Sequence, residues 1–402
     1  MKFDFKVKFL ISLVSLAMTI LTFEIFLNVT TQTYSLESKI QKANELDIEF
    51  DTRSVLEVLD DLNNSENSIY PNFKPKFLLV EDYYYKEGFE VNNDRIFPLS
   101  NISNISTILT NENGYYPVVK TDDFGFTNSE NMYDEEIDVI LIGDSYVEGY
   151  SVFEFHSLSS NLNDFGYKSV SFGKGGNGPL IELASLREYG SALKPSKVVW
   201  FFVHNDFRNL HYELRSDLLT KYMIDKNFDQ NLINKQNEID NFIKKYIKAE
   251  QDEINQHAFD ISKIIEIIKL SQLRVYFIDT LMYFNSQKNY EILEKVLQNA
   301  NKEVKSWGGE FYFVYLPSLQ TLNNSLPDTS QNILSLNKFE EKSTIDDIHK
   351  LCEKLNIEII DFYSEISKLQ NYKSIFPLES DGHYNEKGYR LLSDTLIKKF
   401  NK

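Results

Sequence analysis

The stretch Ile137-Asp138-Val139-Ile140-Leu141-Ile142-Gly143-Asp144-Ser145 decides the fold. Its apolar run is short, rich in β-branched residues and closed by a glycine. That pattern predicts a buried strand over 137–142 that ends in a tight turn. Four more short apolar runs follow, and they predict strands over 168–172, 198–203, 311–316 and 357–360. Between them lie amphipathic stretches. Leu293, Val296, Leu297, Ala300 and Val304, for example, recur at helical spacing. Strands alternating with helices imply parallel pairing through crossovers. The expected fold is therefore α/β: a doubly wound, mostly parallel five-stranded sheet flanked by helices.

Outward from this core the chain is less regular. Residues 31–130 are polar, rich in Asn, Asp and Tyr and weakly periodic, and they read as a membrane-proximal accessory region before a main domain over 131–402. Thr121-Asp122-Asp123-Phe124-Gly125-Phe126 reads as the turn between the two. The connection from about 208 to 289 is too long for one crossover and is expected to be a helical insertion. Ile239, Phe242, Ile243, Tyr246 and Ile247 give it an apolar stripe, which fits packing on the sheet or a cap over a site.

At the N-terminus Lys2, Lys6 and Lys8 precede an uncharged run over 9–23. Glu24 and then Ile25, Phe26 and Leu27 follow, and with Glu24 at the outer interface the apolar stretch is about one bilayer core long. No small-residue cleavage pattern follows it, so residues 1–30 are expected to be an uncleaved signal anchor, with a cleaved signal as the alternative. The lysines then stay in the cytoplasm and the remainder lies outside. The apolar stretch 261–278 is broken by Lys263, Glu266, Lys269 and Arg274 and does not read as a second span.

Composition excludes several classes of function. The 402 residues carry 42 basic and 60 acidic side chains, a net charge of −18. A chain this acidic lacks the basic clusters that neutralise phosphates, so nucleic acid is not an expected partner. One cysteine, Cys352, permits no internal disulfide, and no Cys/His zinc spacing exists.

In doubly wound sheets ligands bind beyond the carboxyl ends of the strands. Gly143-Asp144-Ser145 follows the first strand, and its serine would be held exposed on a tight turn. Gly173-Lys174-Gly175-Gly176-Asn177-Gly178-Pro179 follows the second, with glycines that allow close approach to the backbone. Its spacing matches no nucleotide loop. His204-Asn205-Asp206 follows the third strand and offers a side-chain amide donor. Ser380-Asp381-Gly382-His383 lies beyond the fifth. Each of these signals occurs by chance in ordinary loops. Four at successive strand ends, in one chain order, are a stronger sign.

In these residues the sequence resembles the SGNH hydrolase superfamily, the GDSL-type esterases and acyltransferases, over roughly 136–205 and 305–400. The resemblance implies a flavodoxin-like sheet and puts the nucleophile on Ser145. The oxyanion donors fall on Ser145, Gly176 and Asn205, with Gly173 and Gly178 as other registers. The base and its acid partner fall on His383 and Asp381, with Glu379 as an alternative acid. Val203 stands where the family usually has glycine, and Asp-x-His replaces its commoner Asp-x-x-His. The resemblance implies acyl transfer through an acyl-enzyme, with no metal or organic cofactor. The substrate would be an acylated glycan or another small ester, and the expected action lies outside the cytoplasm, on acyl (acetyl) groups of a cell-surface polysaccharide. The alternative is an inactive binding or assembly module of a surface-polymer system. Oligomeric state, acyl group and acceptor stay open.

Overall fold

The computed structural model describes residues 5–64, 68–80, 85–92, 94–256, 270, 273, 286–325, 340–380 and 382–402. Ten short strands occur among them. Five lie in the N-terminal third: β1 (Ile69–Pro71), β2 (Phe89–Val91), β3 (Asp94–Ile96), β4 (Ser106–Ile108) and β5 (Val118–Lys120). The other five are β6 (Val139–Ile142), β7 (Ser169–Ser171), β8 (Lys197–Phe202), β9 (Glu310–Tyr315) and β10 (Glu358–Ile360). They coincide with the five runs read as strands, each within a residue or two.

These five form one sheet in the order β10-β9-β8-β6-β7, and every pairing in it is parallel. The chain moves from β6 outward to β7, then crosses back to β8 on the other side. The switch point therefore lies between β6 and β8, with a crevice at their carboxyl ends.

Alternate residues of each strand enter opposite cores, which is what a sheet covered on both faces requires. Val198, Trp200 and Phe202 join one cluster, and Val199, Phe201 and Val203 the other. The first cluster gathers Leu293, Val296, Leu297, Ala300 and Val304 from the helix Ser286–Ser306. Ile239, Ile243, Tyr246 and Ile247 of the helix Gln236–Gln256 enter it too. The described part of the 208–289 insertion thus packs into the core beside the sheet. The second cluster is closed by Tyr389, Leu392 and Leu396 of the C-terminal helix Glu386–Phe400.

The region before residue 131 shares the first cluster through Phe73, Leu78, Leu79, Phe97, Ile102 and Phe126. Its strands are only three residues long, so no period of two shows in the sequence. Side-chain hydrogen bonds replace long ladders there. The buried Asp122 carboxylate accepts from the N–H groups of Phe124 and Phe126, both at 2.9 Å, from Asn128 Nδ2 at 2.7 Å and from the Tyr133 hydroxyl at 2.6 Å.

A 41-residue helix, Phe5–Glu45, opens the described chain. Its segment Lys6–Leu27 is long and apolar enough to cross a membrane, with mean hydropathy 2.2. The stretch 261–278 falls outside the described residues apart from Leu270 and Leu273.

Replacing Asp122 with Ala leaves four donors without their acceptor. We expect urea unfolding to show a loss of about 2–4 kcal/mol. A loss below about 0.5 kcal/mol would mean that water takes over the site.

Candidate active site

Ser145 stands at the carboxyl end of β6, on the first residue of the short helix Ser145–Glu148. Asp144 caps that helix, accepting the Tyr146 N–H at 2.9 Å. The same carboxylate orders its surroundings. Its Oδ2 lies 3.3 Å from Ser145 Oγ and 3.3 Å from Asn205 Nδ2. One carboxylate oxygen thus draws the Asn205 amide beside the serine. Asn205 itself follows β8, and Val203 N–H donates to Asp206 at 2.8 Å, which fixes the turn. Burial and the Arg208 charge push the neighbouring His204 down to about 4, so that ring is neutral at pH 7.

His383 Nε2 lies 2.7 Å from Ser145 Oγ. The imidazole is held between two aromatic rings, with centroids 4.7 Å away for Tyr146 and 5.2 Å for Tyr150. Tyr146 also donates its hydroxyl to the Gly382 carbonyl at 3.1 Å. Ser151 Oγ donates to the carbonyl of Tyr384 at 3.0 Å, and Tyr384 donates its buried hydroxyl to Pro317 at 2.8 Å. The histidine loop is therefore fixed on both sides.

The acid on His383 is Glu112. Its Oε1 lies 2.9 Å from His383 Nδ1, and its Oε2 accepts the His383 backbone N–H at 2.8 Å. This contact was expected of Asp381, which falls outside the described residues. Glu379, the other candidate, accepts from Asn371 Nδ2 at 2.8 Å instead. Glu112 sits in the turn Asn111-Glu112-Asn113-Gly114, 271 positions before its partner. Asn113 Nδ2 ties that turn to the Ser151 carbonyl at 2.8 Å, and Asn111 Oδ1 accepts the Gly114 N–H at 2.9 Å. Gly382 lets the carboxylate in, because a Cβ there would stand 2.9 Å from Glu112 Oε2. The Asn-Gly signal marks a tight turn in the sequence. Nothing in that signal reveals its destination.

The glycine loop after β7 is pinned by two buried glutamates. Glu148 accepts the Gly175 N–H at 2.7 Å, while Lys174 Nζ donates to its other oxygen. Glu213 accepts the N–H groups of Gly178 at 2.7 Å and Leu180 at 2.9 Å. Gly173 N–H is bound to Ser171 Oγ at 3.2 Å. Gly176 takes φ +77, which favours glycine, and a Cβ there would lie 2.4 Å from Lys76 Cδ.

The relay is well screened, with side-chain exposure of 17% for His383 and 13% for Glu112. Burial opposes the imidazolium, but the Glu112 charge and hydrogen bonds outweigh it, so the His383 pKa lies above its ordinary value. Burial likewise opposes the Glu112 carboxylate, yet facing His383 it stays below its ordinary value. Tyr115 and Tyr116, whose rings could have stacked on sugars, serve packing: Tyr115 stacks on Phe153 at 4.8 Å, and the Tyr116 hydroxyl donates to the Arg53 carbonyl at 2.7 Å. Among the described residues no cluster of His, Cys, Asp and Glu could hold a metal ion.

No protein-family model and no curated sequence matches the chain. Solved structures show distant similarity. One is a lipase/acylhydrolase from Enterococcus faecalis, 11% identical, with TM-score 0.36, covering 66% of this chain and 95% of its own. Another is a GDSL-like lipase from Bacteroides thetaiotaomicron, 11% identical, with TM-score 0.36, covering 67% and 89%. A third is an acetyl xylan esterase, 12% identical, with TM-score 0.35, covering 65% and 99%.

Glu112→Gln removes the charge that raises the His383 pKa and leaves the burial that lowers it. An NMR titration of the imidazole should therefore move to lower pH in the variant. An unchanged titration would mean that the ring answers to another acid.

Proposed function

We propose that the chain is a serine-dependent carboxylic ester hydrolase or O-acyltransferase of the SGNH type. The observation that carries the proposal is the unbroken relay from Ser145 Oγ through His383 to Glu112, at 2.7 and 2.9 Å. Neutral His383 takes the Ser145 proton on Nε2 while Oγ bonds to the ester carbonyl carbon. Glu112 holds the Nδ1–H tautomer and balances the imidazolium. The tetrahedral oxyanion is met by Asn205 Nδ2 and the backbone N–H groups of Ser145 and Gly176. Gly173 and Gly178 are weaker candidates, since their N–H groups are bound to Ser171 and Glu213. Collapse breaks the bond to the leaving alcohol, which takes the proton from His383. Water, or a sugar hydroxyl in the transferase case, then attacks the acyl-enzyme and restores the serine.

The proposed setting is outside the cytoplasm, anchored by the N-terminal helix, with acyl groups of a surface polysaccharide as substrate. The apolar segment Lys6–Leu27 and the lysines at its N-terminal end support the anchoring. The polysaccharide rests on the resemblance to anchored SGNH proteins.

The test uses the full chain in detergent with an aryl acetate, with and without a glycan acceptor. Turnover should disappear in Ser145→Ala and His383→Ala. Asn205→Ala should retain more activity, with kcat down roughly 10²–10³-fold. Glu112→Gln should lose on the order of 10³–10⁴-fold. Acetyl appearing on the glycan would mark a transferase. Absence of turnover and of serine-probe labelling in folded protein would favour a binding module instead.

The pH dependence follows from the same relay. Only neutral His383 can act as base, and its pKa is raised. Activity should therefore climb with pH through a midpoint above about 6.5, the ordinary histidine value. A midpoint well below that value would contradict the Glu112 pairing.

A further inference from the structure

Behind the crevice the helix Pro179–Ser185, which continues the glycine loop, packs on the helix Asp206–Glu213, which continues the Asn205 turn. Asp206, Asn209 and Glu213 stand at i, i+3 and i+7, on one face of the second helix, and all three are buried. Two of them have partners across the helix pair. Asn209 Nδ2 donates to the Asn177 carbonyl at 2.8 Å, and Glu213 accepts the N–H groups of Gly178 and Leu180. Asp206 is only half used. Its Oδ2 accepts the Val203 N–H at 2.8 Å, while Oδ1 has no donor among the described residues. On the facing helix Glu182 is fully buried, and neither of its oxygens has a donor among the described residues.

Two carboxyl groups short of donors, buried on facing helices, are too costly to hold as two anions. The charges that bear on Glu182 are acidic: Asp206 first, then Asp144 and Glu213. Lys76 stands at the Glu213 end of the cluster and donates to Asn209 Oδ1 at 3.2 Å. The Trp200 indole bears on Glu182 weakly and forms no hydrogen bond. Burial and the acidic neighbours push the Glu182 carboxyl well above its ordinary range, and Asp206 is pushed the same way. The Val203 N–H favours the ionised form of Asp206, whereas no hydrogen bond among the described residues does so for Glu182. A single proton on Glu182 gives Asp206 Oδ1 its missing donor and removes one buried charge.

We propose that Glu182 is a positioning residue: its protonated carboxyl donates to Asp206 Oδ1 and ties the helix behind the glycine loop to the turn that presents Asn205. The inference rests on the hydrolase reading for its kinetic consequence, while the proton itself is a claim about the fold. The Asn205 amide meets Asp144 only at 3.3 Å, so its place depends on the turn, and Asp206 closes that turn. An oxyanion donor contributes most when it is in place before the charge develops. Glu182 acts one step behind that donor and touches neither substrate nor serine.

The experiment uses the full chain in detergent at neutral pH. Infrared difference spectra of wild type minus Glu182→Gln should show the C=O stretch of a protonated carboxyl, shifted in heavy water and displaced in Asp206→Asn. With an aryl acetate, kcat should hold in Glu182→Gln, whose amide still donates. It should fall about tenfold in Glu182→Met at unchanged KM. That loss should vanish in the Asn205→Ala background, because a residue acting through Asn205 then has nothing left to position. With isotopically labelled asparagine, the Asn205 side-chain NMR signal, identified by its absence in Asn205→Ala, should move in Glu182→Met and stay in Glu182→Gln. Absence of the carboxyl band would overturn the inference whether or not the protein turns over and whether or not Glu182→Met folds. The same loss from Glu182→Met in both backgrounds would make Glu182 purely structural and overturn its positioning role. A protein without esterase activity that keeps the band and the Asn205 response would retain the positioning contact and reject the hydrolase. Without activity, an unmoved Asn205 signal would reject both.

Discussion

The contact between Glu112 and His383 joins the first third of the chain to its last twenty residues, and the order of the site depends on it. A carboxylate and an imidazole so far from water are costly to bury singly, because each charge loses its hydration. Together they offset that cost through two hydrogen bonds, one to the ring and one to the backbone of the same histidine. The doubled contact fixes both the orientation of the ring and the path of its loop. The Asn111–Gly114 turn must then be fixed too, and its bonds to Ser151 and within the turn do that. The region before residue 131 thus supplies a partner to His383 as well as part of the core.

The same economy recurs around the crevice. Acidic side chains serve as acceptors for backbone N–H groups that no strand or helix satisfies. Asp144 caps the serine helix, Glu148 and Glu213 pin the glycine loop at two points, and Asp122 closes the turn before β6. Each carboxylate can accept several bonds, so one buried acid organises a whole loop. Burial raises the pKa of Asp122, of Asp144 and of Glu213, the last to about 7. Buried Lys174 pairs with Glu148 beside the loop. In the proposed mechanism the rigidity of the glycine loop matters, because oxyanion donors act only when they are in place before the charge develops.

Much of this was legible in the sequence, for a physical reason. Parallel strands covered on both faces must be apolar throughout, so β6, β8 and β9 stand out as continuous runs. The loops after β6, β7 and β8 carry Ser145, the glycines and Asn205 at offsets that the parallel topology dictates. His383 was readable because the chain has only six histidines and this one follows the last strand. Glu112 was not readable. It is one of 60 acidic residues, it sits in a region without periodicity, and its partner is remote. No local spacing rule links a turn in one part of a chain to a loop in another. The strands of three residues before residue 131 were also invisible, because a period of two needs more positions than they have.

Strand order explains why such scattered residues meet at all. With β6 placed between β7 and β8, the chain goes to β7 on one side of it and then returns to β8 on the other. Each crossover covers a face of the sheet, and neither covers the carboxyl ends between β6 and β8. The crevice is therefore a geometric consequence of the reversal, open before any side chain is chosen. Ser145 stands on its floor, Asn205 on one wall and the glycine loop on the other. The remaining side is supplied by chain that lies outside the sheet: the His383 loop beyond β10 and the turn that carries Glu112. Residues from the sheet are positioned by the hydrogen-bond register of its strands, whereas residues from outside it must be held by side-chain bonds of their own. That division accounts for the dense buried hydrogen bonding around Glu112 and Glu148, and for its placement where the regular ladder ends.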